Sequence, residues 1–328
     1  MPDKTEQEGA FDPESAARRI KAEALHLGFS HVGIARAGVL DHEGARLREW
    51  LGRGYEASMR WMPVRSSERI NVEEVVPGAR SVLSLGLNYY TPQPHAAEPG
   101  TGKISRYAWG DDYHDVMSER LRALWEWVRT EWPAAKGKWY VDTGPVMEKA
   151  WAQRSGIGWI GKHANVITRD SGSWVFLGEI ITTLDLPPDE PATDHCGTCT
   201  LCIEACPTQA IVEPYVVDSN LCLSYLTIEH RGEFPSGLAG EIEGWIFGCD
   251  SCQDVCPWNN KFSRPTEDEK FAPREGNAAP TLADWIRMDA AEFEKRFQGS
   301  AVRRTKHQGL MRNIRAAIGA ANSKDPPR

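Results

Sequence analysis

The sequence predicts an α+β or α/β domain, followed by a small cysteine-rich module and a short helical C-terminal segment. Helical and extended segments alternate over residues 1–186, a proline-rich stretch follows, and all eight cysteines lie beyond it. After the last cysteine the chain becomes rich in basic residues and ends with a helix expected near 309–321. We therefore expect three parts, at residues 1–186, 187–265 and 266–328.

The elements of the first part follow from capping residues and hydrophobic periodicity. Asp12 followed by Pro13 predicts the start of an amphipathic helix that ends near Leu27. Further helices are expected near 41–53, 112–129 and 145–155, and extended segments at 31–35, 81–88, 138–141, 164–168 and 174–182. This pattern leaves the strand order open.

Length and composition indicate a cytoplasmic protein without a membrane partner, which we expect to be a monomer. The 328 residues, 41% of them hydrophobic, can form a substantial core besides the cysteine-rich module. Residues Met1 to Ala10 are polar and acidic, and no segment approaches the roughly twenty apolar residues of a membrane span. Arg18 and Arg19 lack the apolar region of an export signal.

The cysteines follow the pattern of a protein with two [4Fe–4S] clusters. Cys196-x2-Cys199-x2-Cys202-x3-Cys206-Pro207 is followed by the isolated Cys222 and then by Cys249-x2-Cys252-x3-Cys256-Pro257. In two-cluster ferredoxins the fourth cysteine of each run ligates the other cluster. That rule gives a first cysteine set, Cys196, Cys199, Cys202 and Cys256, and a second cysteine set, Cys206, Cys222, Cys249 and Cys252. Zinc knuckles and disulfides are the alternatives.

Two other motifs match known patterns only in part. Gly156-x-Gly158-x-x-Gly161 fits the dinucleotide fingerprint, but it follows an expected helix instead of a strand, so we interpret it as a helix stop and tight turn. Asp112-Tyr113-His114 is similar to the start of the Asp-x-His-x-x-Gly loop of some cobalamin proteins. Met117 takes the place of the glycine, so the sequence supplies no such axial ligand.

The chain resembles the epoxyqueuosine reductase family. The resemblance rests on Tyr140 to Pro145, Arg154 to Lys162 and the cysteine array, and also on Arg69-Ile70-Asn71, Trp109-Gly110-x-Asp112-Tyr113-His114 and Gly248-Cys249-Asp250-x-Cys252-Gln253. It implies a cobalamin-binding domain similar to that of reductive dehalogenases, joined to a ferredoxin-like two-cluster module. It also implies the reduction of epoxyqueuosine to queuosine at the wobble position of a tRNA, the last step of queuosine synthesis.

Within that chemistry, Asp142 is the candidate proton donor because it ends a short strand where a carboxyl can face a pocket. An ordinary carboxylic acid is ionised at neutral pH, so Asp142 must be buried to stay protonated. Its alternative role is to cap the following helix. The resemblance further implies cobalamin contacts at Arg69, Ser105, Asp142, Val166, Ser224 and Asp250.

The implied partners are the anticodon stem-loop of a tRNA carrying epoxyqueuosine and an external low-potential electron donor. The net charge of −8 creates no global attraction for RNA, so a local basic face is needed. Candidates for that face are Lys295, Arg296, Arg303, Arg304, Lys306, His307, Arg312 and Arg315, and a solvated helix face is the alternative. A reductive dehalogenase and a ferredoxin-type electron carrier are the competing functions.

Overall fold

The protein is described here by a computed structural model that covers residues 11–323 of the chain, so the polar segment Met1 to Ala10 lies outside the described residues. A four-stranded sheet forms its centre, in the order β1-β2-β7-β4. Its strands are β1 (His31–Arg36), β2 (Ser81–Asn88), β4 (Gly137–Tyr140) and β7 (Val175–Thr182). Every neighbouring pair is antiparallel, which decides between the two predicted classes in favour of α+β.

Six short strands form three further pairs. They are β3 (Lys103–Ile104) with β10 (Trp245–Phe247), β5 (Trp159–Ile160) with β6 (Val166–Ile167), and β8 (Ile211–Glu213) with β9 (Val216–Val217). The β3–β10 pair is parallel and joins the first part of the chain to the cysteine-rich part.

The helices surround the sheet and build the C-terminal part. They are α1 (Pro13–His26), α2 (Asp41–Gly52), α3 (Trp61–Val64), α4 (Ser66–Ile70), α5 (Tyr113–Glu131), α6 (Glu148–Arg154), α7 (Leu201–Glu204), α8 (Leu223–Ile228), α9 (Ser251–Asp254), α10 (Pro257–Phe262), α11 (Leu282–Trp285), α12 (Ala290–Arg296) and α13 (Lys306–Ser323). Among residues 11–323 no helix is both long and apolar enough to cross a membrane.

Most sequence expectations for these elements are confirmed. The side chain of Asp12 accepts hydrogen bonds from the Glu14 and Ser15 amides and caps α1 as expected. The helix expected from Pro145 begins only at Glu148, because the backbone of Met147 (φ −90°, ψ 72°) is not helical and forms the N-cap. The backbone after β4 makes a tight turn at Asp142, where φ is +53°. The final helix is longer than expected and begins at Lys306.

Two hydrophobic cores cover the two faces of the sheet. Helices α1 and α5 bury residues such as Ile20 and Leu121 against one face, and α6 buries Trp151 against the other. A third core joins Trp109 to α8, β10 and the C-terminal helices. The C-terminal segment therefore packs on the cysteine-rich part, while the expected boundaries at 186 and 265 stay a prediction.

Buried polar contacts fix α13 to this third core. The side-chain Nδ2 of Asn313 donates to the carbonyl oxygens of Thr227 and Ile246, each at 2.8 Å. The Arg312 guanidinium donates to the Leu226 carbonyl at 2.6 Å and also reaches two carbonyls after α8. Buried carbonyls need such partners, so α13 is part of the folded unit that holds Cys222.

Candidate functional site

One large cavity, here called the main cavity, lies between the sheet domain and the cysteine-rich part. Its volume is about 1810 Å³, which exceeds the roughly 300–1,000 Å³ of ordinary small-molecule sites. The start of α5, the turn between β4 and α6, the start of α8 and the segment before α13 contribute to its wall. Among the lining residues are Arg69, Tyr107, Tyr113, His114, Tyr140, Asp142, Glu148, Lys149, Cys222, Ser224, Arg303, Arg304, Lys306 and His307.

A chain of three side chains crosses one side of this cavity. Asp112 caps α5 and accepts a hydrogen bond from Nδ1 of His114 at 2.8 Å. On the other side of the ring, Nε2 of His114 lies 3.2 Å from Oδ2 of Asp142, whose side chain is 57% exposed. The helix start thus brings His114 to the end of β4, and one imidazole connects two carboxylates.

The two carboxylates beside the His114 imidazole favour its protonated form. Burial lowers the pKa of His114, but the hydrogen bonds and charges of Asp112 and Asp142 outweigh it and raise the pKa to about 9. For Asp142, burial favours a higher pKa, but His114 outweighs it and the pKa is lowered. The expectation that burial keeps Asp142 protonated is therefore not met in this state, because the imidazolium beside it stabilises the carboxylate.

The backbone around Asp142 is strained and held in place. The Thr143 amide donates to the Val141 carbonyl at 2.5 Å, which makes a γ-turn with Asp142 at its centre and φ at +53°. Turns of this hand are rare and costly for residues other than glycine. The Asp142 amide donates to Oε1 of Glu148, so the first side chain of α6 fixes the turn. Burial and the charge of Asp142 raise the pKa of Glu148 to about 8.

The wall of the main cavity fits a large amphiphilic cofactor such as cobalamin. Tyr107 and Tyr113 supply aromatic surface, while burial lowers the pKa of the Arg69 guanidinium. Nε of Arg69 is buried and has no hydrogen-bond partner among the described residues. A buried donor of this kind needs an acceptor, and the amide and phosphate groups of cobalamin provide such acceptors.

The first cysteine set surrounds a separate cavity of about 240 Å³. Cys196, Cys199, Cys202 and Cys256 all line it, together with Lys162, His163, Ile167, His195, Pro257 and Trp258. Burial and the charges of the other three thiols raise the pKa of Cys202 to about 11, which shows that the four lie close together. This fits a cluster with four thiolate ligands, because a bound cation lowers the thiol pKa and releases the protons.

The second cysteine set borders the main cavity. Burial, and then the charges of Cys249, Cys222, Asp250 and Cys206, raise the pKa of Cys252. Cys222 itself lines the main cavity beside Ser224. All eight cysteines are free thiols in this structure, and the crossed grouping of the two sets stays a prediction.

The residues expected to contact cobalamin fall into two groups. Arg69, Asp142 and Ser224 line the main cavity. The others, Ser105, Val166 and Asp250, are buried and are not part of its lining. Ser105 donates to Asp250 at 2.6 Å, so these two side chains bond to each other. The contacts to cobalamin at all six positions stay predictions.

The sequence did not indicate Glu148 and Lys149 in the cavity wall. It makes Tyr107, Tyr113 and His114 candidate pocket residues, and all three line the main cavity, but it did not indicate the contact between His114 and Asp142. Asp112, as the helix cap, could have indicated the position of His114. The side chain of a capping aspartate accepts from an amide in the first turn of the helix, here that of His114, and so holds this residue close to its carboxylate. The interpretation of the glycine motif is confirmed, since Gly156 follows α6 with φ at +80°.

Only part of the expected basic face is available to contact a partner. Arg303, Arg304, Lys306 and His307 line the main cavity. Arg312 is instead buried in the bonds to backbone carbonyls described above, and Arg296 stacks on Trp285 at 4.5 Å. Arg312 therefore stabilises the fold and does not belong to an exposed basic surface, whereas Arg296 stays exposed while its guanidinium packs on Trp285.

Known proteins share both the sequence and this architecture. The family described as "Epoxyqueuosine reductase QueG, DUF1730" matches residues 69–143, and a "4Fe-4S double cluster binding domain" matches residues 195–259. An epoxyqueuosine reductase from Synechocystis sp. is 51% identical over 88% of this chain and all of its own length.

Solved structures show the same fold. An epoxyqueuosine reductase bound to an epoxyqueuosine-modified tRNA-Tyr stem loop has a TM-score of 0.87 at 28% identity, over 94% of this chain and 82% of that one. The Bacillus subtilis enzyme, with its catalytic aspartate loop swung out of the active site, has a TM-score of 0.85 at 28% identity, over 94% and 82%. The reductive dehalogenase NpRdhA shares the fold at a TM-score of 0.51 and 17% identity, over 77% and 33%.

The fold and the site define a reductase with two iron–sulfur clusters beside a large cofactor cavity. The identity to its relatives, over most of its length, then decides the particular family. The chain belongs to the epoxyqueuosine reductase family.

Proposed function

We propose that the chain reduces epoxyqueuosine to queuosine at the wobble position of a tRNA, the last step of queuosine synthesis. The observation that carries this proposal is the main cavity, which brings together the Asp142 carboxylate, Cys222 of the second set and a basic edge formed by residues 303–307. A proton source, an electron source and a surface for phosphates thus meet in one space. The relatives and the neighbour with a modified stem loop support the same substrate.

The reaction needs both electrons, which cofactors supply, and protons, which side chains supply. Conversion of the epoxide to an alkene breaks two carbon–oxygen bonds, consumes two electrons and two protons, and releases one water. When bound, cobalamin and the clusters supply the low-potential electrons and the nucleophilic metal centre that no side chain offers. The protein holds these groups, positions the nucleoside and provides the protons.

We further propose that electrons from an external low-potential donor reach the first cysteine set before the second. The residues beside Cys196 and Cys199, namely Gly197, Thr198 and Thr200, are exposed, so a cluster there lies near the protein surface. Cys222 of the second set lies in the wall of the main cavity, beside the proposed cobalamin site. A cluster on the second set is therefore the nearer one to the substrate.

Asp142 is proposed to deliver the protons, and His114 to supply them to Asp142. The two carboxylates favour the protonated imidazole, whose Nε2 lies 3.2 Å from Oδ2 of Asp142. One proton passes from Nε2 to Oδ2 and then from Asp142 to the leaving oxygen. His114 takes up a second proton from solvent through its partly exposed edge and passes it on in the same way. Because the reaction consumes two protons, a donor that can be reloaded fits its balance.

The basic edge of the main cavity is proposed to bind the phosphates of the anticodon stem-loop. Arg303 and Arg304 form ion pairs with Glu294 and Glu229, while Lys306 forms no ion pair among the described residues. Partly exposed pairs of this kind contribute little, so a phosphate can replace the carboxylate at small cost. The edge thus supplies local positive charge on a chain with a net charge of −8.

The test is an anaerobic reconstitution with iron, sulfide and cobalamin, followed by incubation with epoxyqueuosine-bearing tRNA and a low-potential reductant. Mass spectrometry of the nucleosides should show the loss of one oxygen, dependent on cobalamin. Asp142→Asn should abolish the conversion. Asp170→Asn is the matched control, since Asp170 also pairs with a histidine, His31 at 2.9 Å, but lies outside the main cavity.

Conversion at the normal rate in Asp142→Asn would contradict the role of Asp142 and leave the substrate assignment intact. Full clusters and bound cobalamin without conversion would contradict the substrate. Failure to bind cobalamin at all would favour the electron carrier instead.

A further inference from the structure

Lys162 lies in the wall of the cavity that the first cysteine set surrounds. It is only 9% exposed, and its Nζ donates to the carbonyl oxygens of Gly197 at 2.7 Å and Cys199 at 2.9 Å. Both carbonyls belong to the loop that carries the cysteines. The ammonium group therefore lies within the cluster-binding loop instead of extending into solvent.

Among the described residues no carboxylate lies within ion-pair distance of this lysine, although the charge of Asp194 is near enough to interact with it. In the part of the chain that the structure describes, Lys162 forms no ion pair, and its two hydrogen bonds go to neutral carbonyls. A buried ammonium without a contacting counter-charge is costly. A [4Fe–4S] cluster held by four thiolates is an anion in both redox states, so a cluster in this cavity would add negative charge beside the ammonium group.

The backbone of Lys162 is also tied to this loop. Its carbonyl oxygen accepts from the Tyr215 amide at 2.9 Å. Asp194 accepts from the Cys196 amide at 2.7 Å and from the Tyr215 hydroxyl, which closes the arrangement. These bonds fix the distance between the ammonium group and the cysteine cavity, so its field acts at a defined position.

We propose that Lys162 raises the reduction potential of the cluster on the first cysteine set, so that this cluster accepts electrons more readily from the external donor. Reduction adds one negative charge to the cluster, and a fixed positive charge nearby stabilises the reduced form more than the oxidised form. Burial keeps this attraction from being screened by salt. The inference rests on the proposed ligation of a cluster by the first set.

The second cysteine set has a different charge environment. Asp250 lies next to Cys249, is completely buried, and accepts hydrogen bonds from Ser105 and the Arg106 amide. Lys149 stands on the main cavity, where its Nζ donates to the Ala164 carbonyl at 2.7 Å and to Asn165 at 2.9 Å. Lys149 is exposed, unlike Lys162, but it too donates to uncharged oxygens, and it provides a control lysine near the other cysteine set.

The test is a redox titration, followed by electron paramagnetic resonance, of the full chain reconstituted with both clusters. Lys162→Met removes the charge and keeps the aliphatic stem, whereas Lys162→Arg keeps the charge. In Lys162→Met we expect the potential of one cluster to become more negative by at least a tenfold change in its reduction equilibrium, which is about 59 mV for one electron. The other cluster should not change. Lys162→Arg should resemble the unsubstituted chain, and Lys149→Met should leave the first cluster's potential unchanged.

Several results would overturn the proposal. Two clusters with unmoved potentials in Lys162→Met would show that the charge has no influence, and equal shifts of both clusters would show that it is not local. Loss of half the iron in both Lys162→Met and Lys162→Arg would show that Lys162 stabilises the structure of the loop and does not tune the potential. Failure of the unsubstituted chain to bind any cluster would instead contradict the cluster assignment on which the inference rests.

Discussion

At the scale of single residues, the His114 imidazole between two carboxylates makes the proton supply dependent on pH. The pKa of His114 is raised from 6.5 to about 9, so its stabilising contribution is complete below pH 6.5 and is lost as the pH rises through 9. The pKa of Asp142 is lowered, so its contribution is present above 3.8 and is lost as the pH falls through the lowered value. The ion pair therefore persists across neutral pH.

We predict that the rate of a single turnover falls as the pH rises through about 9, because His114 then loses its proton. Asp112→Asn removes one of the two carboxylates that hold this proton and should move the fall to lower pH. The pH–rate profiles of the two proteins measure this shift, and NMR titration of the His114 ring gives the same midpoint without turnover. A profile that does not move in Asp112→Asn would contradict the relay.

At the scale of elements, the turn between β4 and α6 depends on the first side chain of α6. Glu148→Ala removes the acceptor of the Asp142 amide, and this bond contributes about 1 kcal/mol to the position of the turn. Hydrogen exchange at the Asp142 amide should become roughly fivefold faster. Glu148→Gln keeps an oxygen acceptor and should retain most of the protection. Equal exchange rates of the Asp142 amide in all three proteins would show that the γ-turn does not depend on the Glu148 side chain.

The glycines after α6 allow close contact between β5 and β6. A Cβ at Gly158 would lie 2.3 Å from the carbonyl oxygen of Ile167, so Gly158→Ala should destabilise the protein by about 1–3 kcal/mol. Gly319 is an exposed position of α13 with open space around it, and Gly319→Ala should stabilise by about 0.5–1 kcal/mol. Thermal unfolding should therefore show opposite shifts in Tm for the same chemical change.

At the scale of the whole molecule, the two cysteine sets should lose their clusters separately. Cys222 contributes to the wall of the main cavity and is not part of the first cysteine cavity. We predict that Cys222→Ala loses about half of the iron and keeps the spectrum of the first cluster. An iron assay with electron paramagnetic resonance measures both. Loss of all iron would show that the two clusters assemble as one unit.

Much of this organisation was predictable because it depends on residue types at fixed spacing. The cysteine runs, the cap at Asp12 and the buried strand Ser81–Asn88 each carry their own local signal. The partner of Asp142 did not, since His114 is 28 residues away and reaches it only through the packing of α5 beside β4. The antiparallel strand order was equally hidden, because it is set by contacts between distant segments.

The interlaced cysteine sets also constrain the timing of maturation. The first cavity needs Cys256, although its other three cysteines lie between 196 and 202. The second set spans Cys206 to Cys252, and both sets are completed within a few residues of each other. A ribosome must therefore have released nearly the whole cysteine-rich part before either cluster has all its ligands. Cluster insertion therefore comes late in the synthesis of the cysteine-rich part, and the cysteines made earlier must stay reduced until then.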